Sequence, residues 1–349
     1  MKYITFTVPC YNSEGYMRRC LDSLLVQREG VEIIIVDDGS TDATGAIADE
    51  YEARYPDTVR AVHQENGGHG AGVNAGLALA QGRYFKVVDS DDWLEKGAYQ
   101  KLHARLKECC VMGACQKERY ERDAPDLVVC NYVYDHLEEG ASHTVRYRNV
   151  FPENRMCGWQ ETGHFAMSQY LVMHALIFRT QVLKEAGIRL PKHTFYVDNL
   201  FANQPLPFVE RILYLDLDLY HYYLGRADQS VNEAVLKKRI DQQLRVTRLV
   251  TECTDLDAVR QKSPKLEKYL CRNISVMMAI SSIHLLLIAT PEAYEKRRKM
   301  WHWVKARNRR LYLRLRYGNL CGLTCLPGKW GRWLTVKGYR LANRLYRFQ

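Results

Sequence analysis

Acidic residues are missing from the last part of this 349-residue chain. From residue 296 onward there are 16 Lys and Arg and no Asp or Glu, which leaves 34 basic and 40 acidic residues in residues 1–295. The net charge of +10 therefore comes from a basic tail on a mildly acidic body. This asymmetry indicates an anionic partner for the tail, either a membrane surface or a nucleic acid.

Three further absences narrow the class of protein. The 11 cysteines include no C-x2-C pair, even in the tightest group (residues 109–130), so we expect free thiols rather than a zinc site. The start, MKYITFTVPCYN, has no signal-peptide cleavage pattern, which predicts a cytoplasmic protein. The apolar run over residues 274–289 falls short of the ~20 residues that span a bilayer, so we expect a buried helix there.

The order of the predicted elements indicates an α/β fold. Strands are predicted in YITFTV, VEIIIV, TVRAVH and YFKVV, with helices over residues 14–27, 42–55 and 70–80 between them. Repeated units of this length predict a parallel sheet, and the continuous apolar runs predict strands covered on both faces. Ligands of such sheets bind beyond the carboxyl ends of the strands.

The remainder of the chain predicts further elements and the domain boundaries. DLVVCNYVYD reads as a strand, HALIFRTQVLKEAG as a strand followed by a helix, and ILYLDLDLYHYYL as an edge-like strand. Beyond residue 230 the pattern is helical. We therefore divide the chain into a domain over residues 1–230 (a nucleotide-binding half, 1–97, and an acceptor half, 98–230), a helical extension over 231–290 and a basic, aromatic-rich tail over 291–349.

Carboxylates crowd the segment that follows the fourth predicted strand, where Asp89, Asp91 and Asp92 occur in DSDDW. Such groups repel one another unless a cation binds, and Mg²⁺ is commonly held by one or two carboxylates together with substrate phosphates. The segment therefore indicates a divalent-cation site that holds a diphosphate. The alternative is a solvated acidic turn that caps the next helix.

A dinucleotide-binding motif is a competing interpretation. Gly70, Gly72 and Ala75 match G-x-G-x-x-A, and acids follow about twenty residues later. That fingerprint belongs after the first strand of its fold, whereas this match follows the third. An NAD(P)-dependent oxidoreductase is therefore the weaker hypothesis.

Taken together, four stretches resemble the inverting family-2 glycosyltransferases of bacterial cell-surface polysaccharide synthesis. They are TVPCYNSEGYMRRCLDSLLVQ, VEIIIVDDGSTDATGAIADEY, NGGHGAGVNAGLALAQGRYFKVVDSDDWL and, less closely, HTFYVDNLF. The resemblance is strong over residues 2–97, moderate to about 230 and absent beyond. It implies an α/β fold of the GT-A nucleotide-diphospho-sugar transferase class, a mostly parallel sheet flanked by helices, here with a C-terminal helical extension.

The resemblance also implies roles for the residues at matching positions. Asp91 would coordinate Mn²⁺ or Mg²⁺ that bridges the donor diphosphate, with Asp92 beside it. The family usually has an Arg-Asn pair after the third strand, but here Val73 precedes Asn74, which weakens a phosphate contact in that loop. The residues implied to bind the nucleotide are Pro9, Tyr11 and Asp38, with Asp89 on the ribose.

The catalytic base of related enzymes comes from a Glu-Asp pair that opens a helix. In YVDNLF the first acid is replaced by Val197, so Asp198 is the candidate base, and a helix N-cap is the alternative role. His221 is a candidate further metal ligand, although exposed histidines are common on edge strands and that role is the favoured alternative. The acceptor is expected over residues 174–198 and over three residues whose side chains could contact a sugar, Trp159, Glu161 and His164. Core packing is the alternative for Trp159.

The basic tail mixes Trp and Leu with Arg at near-helical spacing, as in EKRRKMWHWVKARNRRLYLRLRYG and KWGRWLTVKGYRLANRLYRF. This composition suits a helix that lies on an anionic membrane, with nucleic acid and a solvated helix as the alternatives. Beside a glycosyltransferase we favour the membrane, because lipid-linked glycan acceptors occupy the cytoplasmic leaflet, and we expect no nucleic acid.

The sequence therefore predicts a metal-dependent inverting glycosyltransferase. It would move a sugar from a nucleotide-sugar, with a UDP-sugar favoured, to a glycan or lipid-linked acceptor for surface polysaccharide. Its expected location is the cytoplasm, peripheral on the inner face of the plasma membrane. The alternative is a non-catalytic relative that binds nucleotide-sugar or scaffolds a membrane assembly, which Val73 and Val197 would favour.

Overall fold

The computed structural model describes residues 1–111, 124–136, 140–166, 169–224 and 233–346. The chain forms two compact units, Met1–Gly225 and Arg226–Gln349. The first unit contains a ten-stranded sheet with helices, and the described part of the second consists of helices and connecting turns.

The sheet of the first unit has the order β3-β2-β1-β4-β9-β6-β10-β5, with β7 paired to β6 and β8 to β10. β1 is parallel to β2 and β4, and β2 to β3, so these four strands form the predicted parallel sheet. Every residue of β1, β2 and β4 is buried, as expected for apolar strands covered on both faces. The strands are β1 (Ile4–Cys10), β2 (Val31–Asp37), β3 (Val59–His63), β4 (Tyr84–Val87), β5 (Trp93–Leu94), β6 (Leu127–His136), β7 (Ala141–Val145), β8 (Met156–Cys157), β9 (Leu176–Arg179) and β10 (Ile212–Leu224).

The other half of the sheet is mixed. β9 runs antiparallel between β4 and β6, and β10 is parallel to β6. The strand predicted here is confirmed as β10, but it is not the outermost strand, since it pairs with β6 along one side and, near its two ends, with the short β5 and β8 on the other. Its alternation arises instead from Asp216 and Asp218, whose carboxylates each accept a hydrogen bond from Asn131 Nδ2, at 2.9 and 2.8 Å.

The helices of the first unit follow the strands as the alternating pattern predicts, and α3 packs directly on β1 and β2. Two glycines permit this close approach. A Cβ on Gly72 would lie 2.9 Å from Cβ of Pro9, and one on Gly76 would lie 2.2 Å from Oγ1 and 2.8 Å from Cβ of Thr7. The helices are α1 (Met17–Leu24), α2 (Thr44–Arg54), α3 (His69–Leu79), α4 (Lys96–Val111), α5 (Thr180–Glu185) and α6 (Asp198–Asn203).

Replacing Gly76 with Ala should destabilise the protein by roughly 1–3 kcal/mol, the usual cost of overpacking. The added methyl group meets Thr7, which is fixed in the central strand β1, and this clash outweighs the higher helix propensity of Ala. Thermal unfolding measures the change. Gly15→Ala is the matched control, because a Cβ at Gly15 meets nothing within 4 Å. Equal stability of the two variants would contradict the close packing of α3.

The second unit is organised around α10, which packs against each of the other six helices in the described part of this unit. Ser263, Thr290 and Asn308 cap α10, α11 and α12, each accepting a hydrogen bond from a backbone N–H of the first turn. The helices are α7 (Glu233–Lys238), α8 (Ile240–Glu252), α9 (Leu256–Lys262), α10 (Pro264–Ile288), α11 (Pro291–Arg307), α12 (Arg309–Tyr317) and α13 (Gly328–Tyr346), with a 3-10 turn at Leu320–Cys325.

Residues 274–288 of the apolar run form the second half of α10, which has 25 residues and is longer than the run itself, and Ala289 is the residue that caps its end. By length and composition alone, α10 is the one helix in the described residues that could cross a membrane, and 61% of its most apolar window is buried within the structure. Its serines have polar partners, since Ser281 Oγ lies 2.9 Å from Thr247 Oγ1 and Ser282 Oγ accepts a hydrogen bond from Trp301 Nε1 at 3.1 Å.

Candidate active site

The four parallel strands β3, β2, β1 and β4 end at one edge of the sheet. The segments that follow them, at residues 11–16, 38–43, 64–68 and 88–92, therefore meet there. This is the edge at which sheets of this type bind ligands.

Asp38 anchors the loop that follows β3. Its carboxylate accepts hydrogen bonds from Gln64 Nε2 at 2.6 Å and from the backbone N–H groups of Gly67 and Gly68 at 2.8 and 2.7 Å. The side chain is thereby buried and serves first to shape this loop. The contact between Asp38 and a nucleotide stays a prediction.

The carboxylate of Asp89 lies between two histidines. Its Oδ1 is 2.8 Å from Nε2 of His69, and its Oδ2 is 4.0 Å from Nδ1 of His174. Burial of His69 and Asp89 disfavours the charged form of each side chain. The attraction between the two charges outweighs this effect, so the pKa of His69 is raised and the pKa of Asp89 is lowered. The site therefore favours an ionised Asp89.

Asp92 is buried beneath this pair and supports the DSDD turn. Its Oδ2 accepts a hydrogen bond from the hydroxyl of Tyr220 at 2.5 Å, and its Oδ1 accepts one from the backbone N–H of Tyr223 at 2.9 Å. Burial, together with the charges of Asp91 and Asp89, raises the pKa of Asp92 well above its usual range. Asp91 is half-buried, and its backbone carbonyl accepts a hydrogen bond from Arg19 at 3.0 Å.

The sequence predicts no role for His174, but in the structure its side chain lies next to the carboxylates of Asp89 and Asp92. Its ring lies between the rings of Tyr220 and Tyr222, with both centroid distances 4.7 Å, and its Nδ1 is buried without a hydrogen-bond partner. Burial lowers the pKa of His174 to about 4, so the imidazole is neutral at pH 7. A neutral imidazole nitrogen next to a carboxylate can serve as a metal ligand.

Lys86 is a second buried group that the sequence interpretation missed. It lies in the middle of β4, donates a hydrogen bond from Nζ to the carbonyl of His174 at 2.6 Å, and has its Nζ 4.9 Å from the ring centroid of Tyr220. Burial lowers the pKa of Lys86 to about 8. Lys86 therefore ties β4 to the segment that carries His174 and brings positive charge beneath the acids.

Asp198 opens α6 but does not cap it. The helix begins at Asp198 without a side-chain cap hydrogen bond, and the segment before it contains two residues in the left-handed region, His193 at φ 48° and Tyr196 at φ 66°. Burial raises the pKa of Asp198, while His69 lowers it and the charge of Asp89 raises it further. The segment before α6 lies against the loop after β3, because the backbone N–H of His193 donates a hydrogen bond to the carbonyl of Gly67 at 2.7 Å.

The two departures from the family pattern have a packing explanation. Val197 is 2% exposed, and its Cγ2 lies 3.5 Å from the position of a Cβ on Gly70. Val73 is equally buried in α3. A charged side chain at either position would be desolvated, which is costly. Gly70 and Gly72 allow α3 to pack closely against its neighbours here. This packing role weakens the interpretation of the two glycines as a dinucleotide-binding motif.

The two nucleotide contacts implied at β1 differ in exposure. Tyr11, the first residue after β1, is 54% exposed and available to a ligand. Pro9 is buried, with its ring against Gly72. Both contacts stay predictions.

The structure does not bring His221 to the acid cluster. The group of ligand atoms within 4.8 Å of one another, among the described residues, comprises Asp89, Asp92 and His174. His221 instead has Nδ1 2.5 Å from Asp135 Oδ2, and its ring stacks on Trp93 at 5.3 Å. None of the described cysteines belongs to this group; Cys115 lies outside the described residues.

The acceptor prediction for Trp159 is wrong. Trp159 is 5% exposed and donates a hydrogen bond from Nε1 to the carbonyl of Val209 at 2.8 Å, so its ring is part of the core. Glu161 bonds the backbone N–H of Gly158 at 3.0 Å and pairs with Arg155 at 2.8 Å. It therefore stabilises its own turn rather than presenting a free carboxylate.

The turn that carries Trp159 and Glu161 also lies far from the acids of the DSDD turn. β8, just before it, pairs with Ile212 at the start of β10, whereas Tyr220 near the other end of β10 contacts Asp92. Eight residues of strand correspond to roughly 25 Å. His164 is exposed and lies three residues after Glu161, in the same part of the chain. The geometry therefore does not support an acceptor site at Trp159, Glu161 and His164.

Comparison with known proteins identifies the family. The model of the family described as Glycosyl transferase family 2 matches residues 5–174. The glycosyltransferase GlyA of Streptococcus pneumoniae is 29% identical over 238 residues, which cover 65% of this chain and 31% of GlyA. The putative glycosyltransferase EpsH of Bacillus subtilis is 26% identical over 328 residues, which cover 91% of this chain and 83% of EpsH. The chain thus spans under a third of GlyA but most of EpsH.

A solved structure of S. aureus TarS, residues 1–349 in complex with UDP-GlcNAc, has a similar fold. Its TM-score is 0.66 at 21% sequence identity, and the match covers 99% of this chain and 92% of the TarS chain. A likeness at this identity establishes the fold alone. From the family match, the relatives and this fold, residues 5–174 form a domain of the family-2 glycosyltransferases, and the chain has the GT-A fold.

Proposed function

We propose that this protein is a metal-dependent inverting glycosyltransferase. It would transfer a sugar from a nucleotide-sugar, with a UDP-sugar favoured, to a glycan or lipid-linked acceptor in surface polysaccharide synthesis. The observation that carries the proposal is that the segment before Asp198 lies against the loop after β3, where the N–H of His193 donates a hydrogen bond to the carbonyl of Gly67 at 2.7 Å. His69, which follows this loop, pairs with Asp89 of the DSDD turn at 2.8 Å, so both segments lie at the carboxyl edge of the parallel strands. A family-2 chain with both groups in one place has the parts for donor binding and for deprotonation of an acceptor.

The donor nucleotide is assigned to the segments after β1 and β2. The exposed ring of Tyr11 offers a stacking surface for a base, and Asp38 holds the loop over residues 64–68 in place beside it. Pro9 lines this end of β1, and Asp89 is assigned to the ribose. The ion pair with His69 holds the Asp89 carboxylate in a fixed orientation before the donor arrives.

The residues at the DSDD turn fit a hard divalent cation. Two carboxylates and a neutral imidazole with an unpartnered Nδ1 place their ligand atoms within 4.8 Å of one another. We assign the main ligand role to Asp91, as the family resemblance implies, since it is half-buried in the same turn, next to this group of ligand atoms. Mn²⁺ or Mg²⁺ bound here would neutralise charge on the diphosphate. His221 is the weakest candidate ligand, since it is engaged by Asp135.

Asp198 is assigned as the general base. Inversion requires a group that removes the proton from the acceptor hydroxyl while that oxygen attacks the anomeric carbon on the face opposite the departing nucleoside diphosphate. A carboxylate whose pKa is raised by burial takes up this proton more readily than an ordinary Asp. The acceptor is therefore expected near the segment over residues 190–198.

A thermal-shift screen tests the donor site. UDP, GDP, NAD and several UDP-sugars are added with and without Mn²⁺, and release of UDP is followed in parallel. We expect a nucleoside diphosphate to raise the melting temperature only with Mn²⁺, because a ligand of the folded state stabilises it by mass action. No stabilisation by any nucleoside diphosphate would overturn the proposal. Stabilisation without sugar transfer to glycan acceptors would favour the non-catalytic relative, and stabilisation by NAD alone the oxidoreductase.

A further inference from the structure

The described part of the second unit contains a cavity of about 520 Å³ with arginines in its wall. Arg297 and Arg316 turn guanidinium N–H groups to backbone carbonyls of the 3-10 turn over residues 320–325, and Arg332 lies over the ring of Tyr294 at 4.5 Å. The fourth arginine of the wall, Arg298, is paired with Glu295 of the same wall at 2.7 Å. The wall therefore carries an excess of three positive charges.

Part of this positive charge has no anionic partner. Within the described residues, Arg297, Arg316 and Arg332 form no ion pair, and Nε of Arg297 is buried without a hydrogen-bond acceptor. The planar guanidinium group binds phosphate oxygens through two N–H groups at once. An anion with several oxygens would therefore offset the positive charge that the wall carries.

The cavity leads to an exposed apolar face of α13. A second cavity, of about 440 Å³, shares Tyr294 and Arg332 with the first and extends to Trp333 and Lys337. The exposed side chains of α13 include Trp330, Leu334 and Leu341, at 81%, 55% and 60% exposure. Their spacing of four and seven residues places them on one side of the helix, and Trp333, 53% exposed, flanks that side.

We propose that these cavities bind the phosphate of an anionic phospholipid while the apolar face of α13 enters the bilayer interface. Exposed Trp and Leu next to Lys and Arg are the composition of a helix that lies in the interface of an anionic membrane. A nucleic acid or a free phosphate would account for the arginines but would leave the exposed leucines without a function. The inference makes the proposed membrane contact of the tail specific, and it does not depend on glycosyl transfer.

The test is sedimentation of the full-length protein with vesicles of phosphatidylcholine, with and without phosphatidylglycerol. We expect binding to the anionic vesicles, weakened at least tenfold in Arg332→Gln and clearly in Trp330→Ala. Arg309→Gln is the matched control: it removes the same charge from an exposed residue of the tail outside the cavity wall, and should change binding only a few-fold. Trp330 is so exposed that its replacement should leave folding intact, which unfolding curves verify.

Three other outcomes would overturn the proposal, and each would indicate a different explanation. Equal losses in Arg332→Gln and Arg309→Gln would mean a diffuse charge effect without a cavity site. Inorganic phosphate that abolishes vesicle binding and raises the melting temperature through Arg332 would identify free phosphate as the ligand, and tighter binding of a DNA or RNA oligonucleotide would identify nucleic acid. Nucleotide binding and UDP release are measured without vesicles, so the failure of the donor-site proposal is seen separately.

Discussion

Replacing Asp198 with Asn should lower kcat for sugar transfer by roughly 100- to 10,000-fold, the range for the loss of a general base. Asn has the shape of Asp but cannot take up the acceptor proton. Donor binding should be unchanged, because the nucleotide is assigned to other segments of the site. Steady-state kinetics at saturating donor, with donor binding measured by thermal shift, separates the two effects.

The pH dependence of kcat tests the role of Asp198 as the base in a second way. Burial raises the pKa of the Asp198 carboxyl, and a base must be deprotonated to act. The kcat of the wild type should therefore fall as the pH drops through this raised pKa, and Asp198→Asn should lack that acidic limb. Asn199→Ala is the control, since its amide nitrogen lies 3.4 Å from the Asp198 carboxylate but carries no base. If Asp198→Asn keeps wild-type kcat, the base is another group.

The positions of the donor-site acids follow from local sequence because they depend on short-range order. Apolar runs predict the parallel strands β1 to β4, and parallel strands place their carboxyl ends at one edge. The sequence alone thus assigns the DSDD turn and Asp38 to that edge. The structure confirms these strands and the edge they share.

His174 illustrates what local sequence cannot supply. β4 pairs antiparallel with β9 through Tyr84–Arg179 and Phe85–Phe178, and the same register continued past the strand ends sets Asp89 opposite His174. This pairing joins segments about ninety residues apart, and nothing in either segment specifies it. The burial of Trp159 is a similar case, because an aromatic residue in a Gly-rich stretch suits a sugar platform and a core equally until its Nε1 is seen bonded to Val209.

Replacing Asp91 with Asn should abolish Mn²⁺-dependent stabilisation by UDP and lower kcat by roughly a thousandfold. The change removes one negative charge and an anionic oxygen ligand from the DSDD turn. Stabilisation of the leaving diphosphate by a metal ion accounts for several kcal/mol of transition-state energy, and ~4 kcal/mol corresponds to about a thousandfold in rate. Titration of Mn²⁺ in the presence of UDP, followed by thermal shift and by UDP release, measures both effects.

Two further variants make this result specific to the site. Asp57→Asn removes the same charge from an exposed position just before β3, at the opposite edge of the sheet, and should behave as the wild type. Asp92→Asn should instead lower the melting temperature without ligand, because the Asp92 carboxylate is buried and holds Tyr220 and Tyr223. If Asp91→Asn keeps the Mn²⁺ response and Asp92→Asn or His174→Gln loses it in folded protein, the cation is held by the buried group of Asp89, Asp92 and His174, and Asp91 has another role.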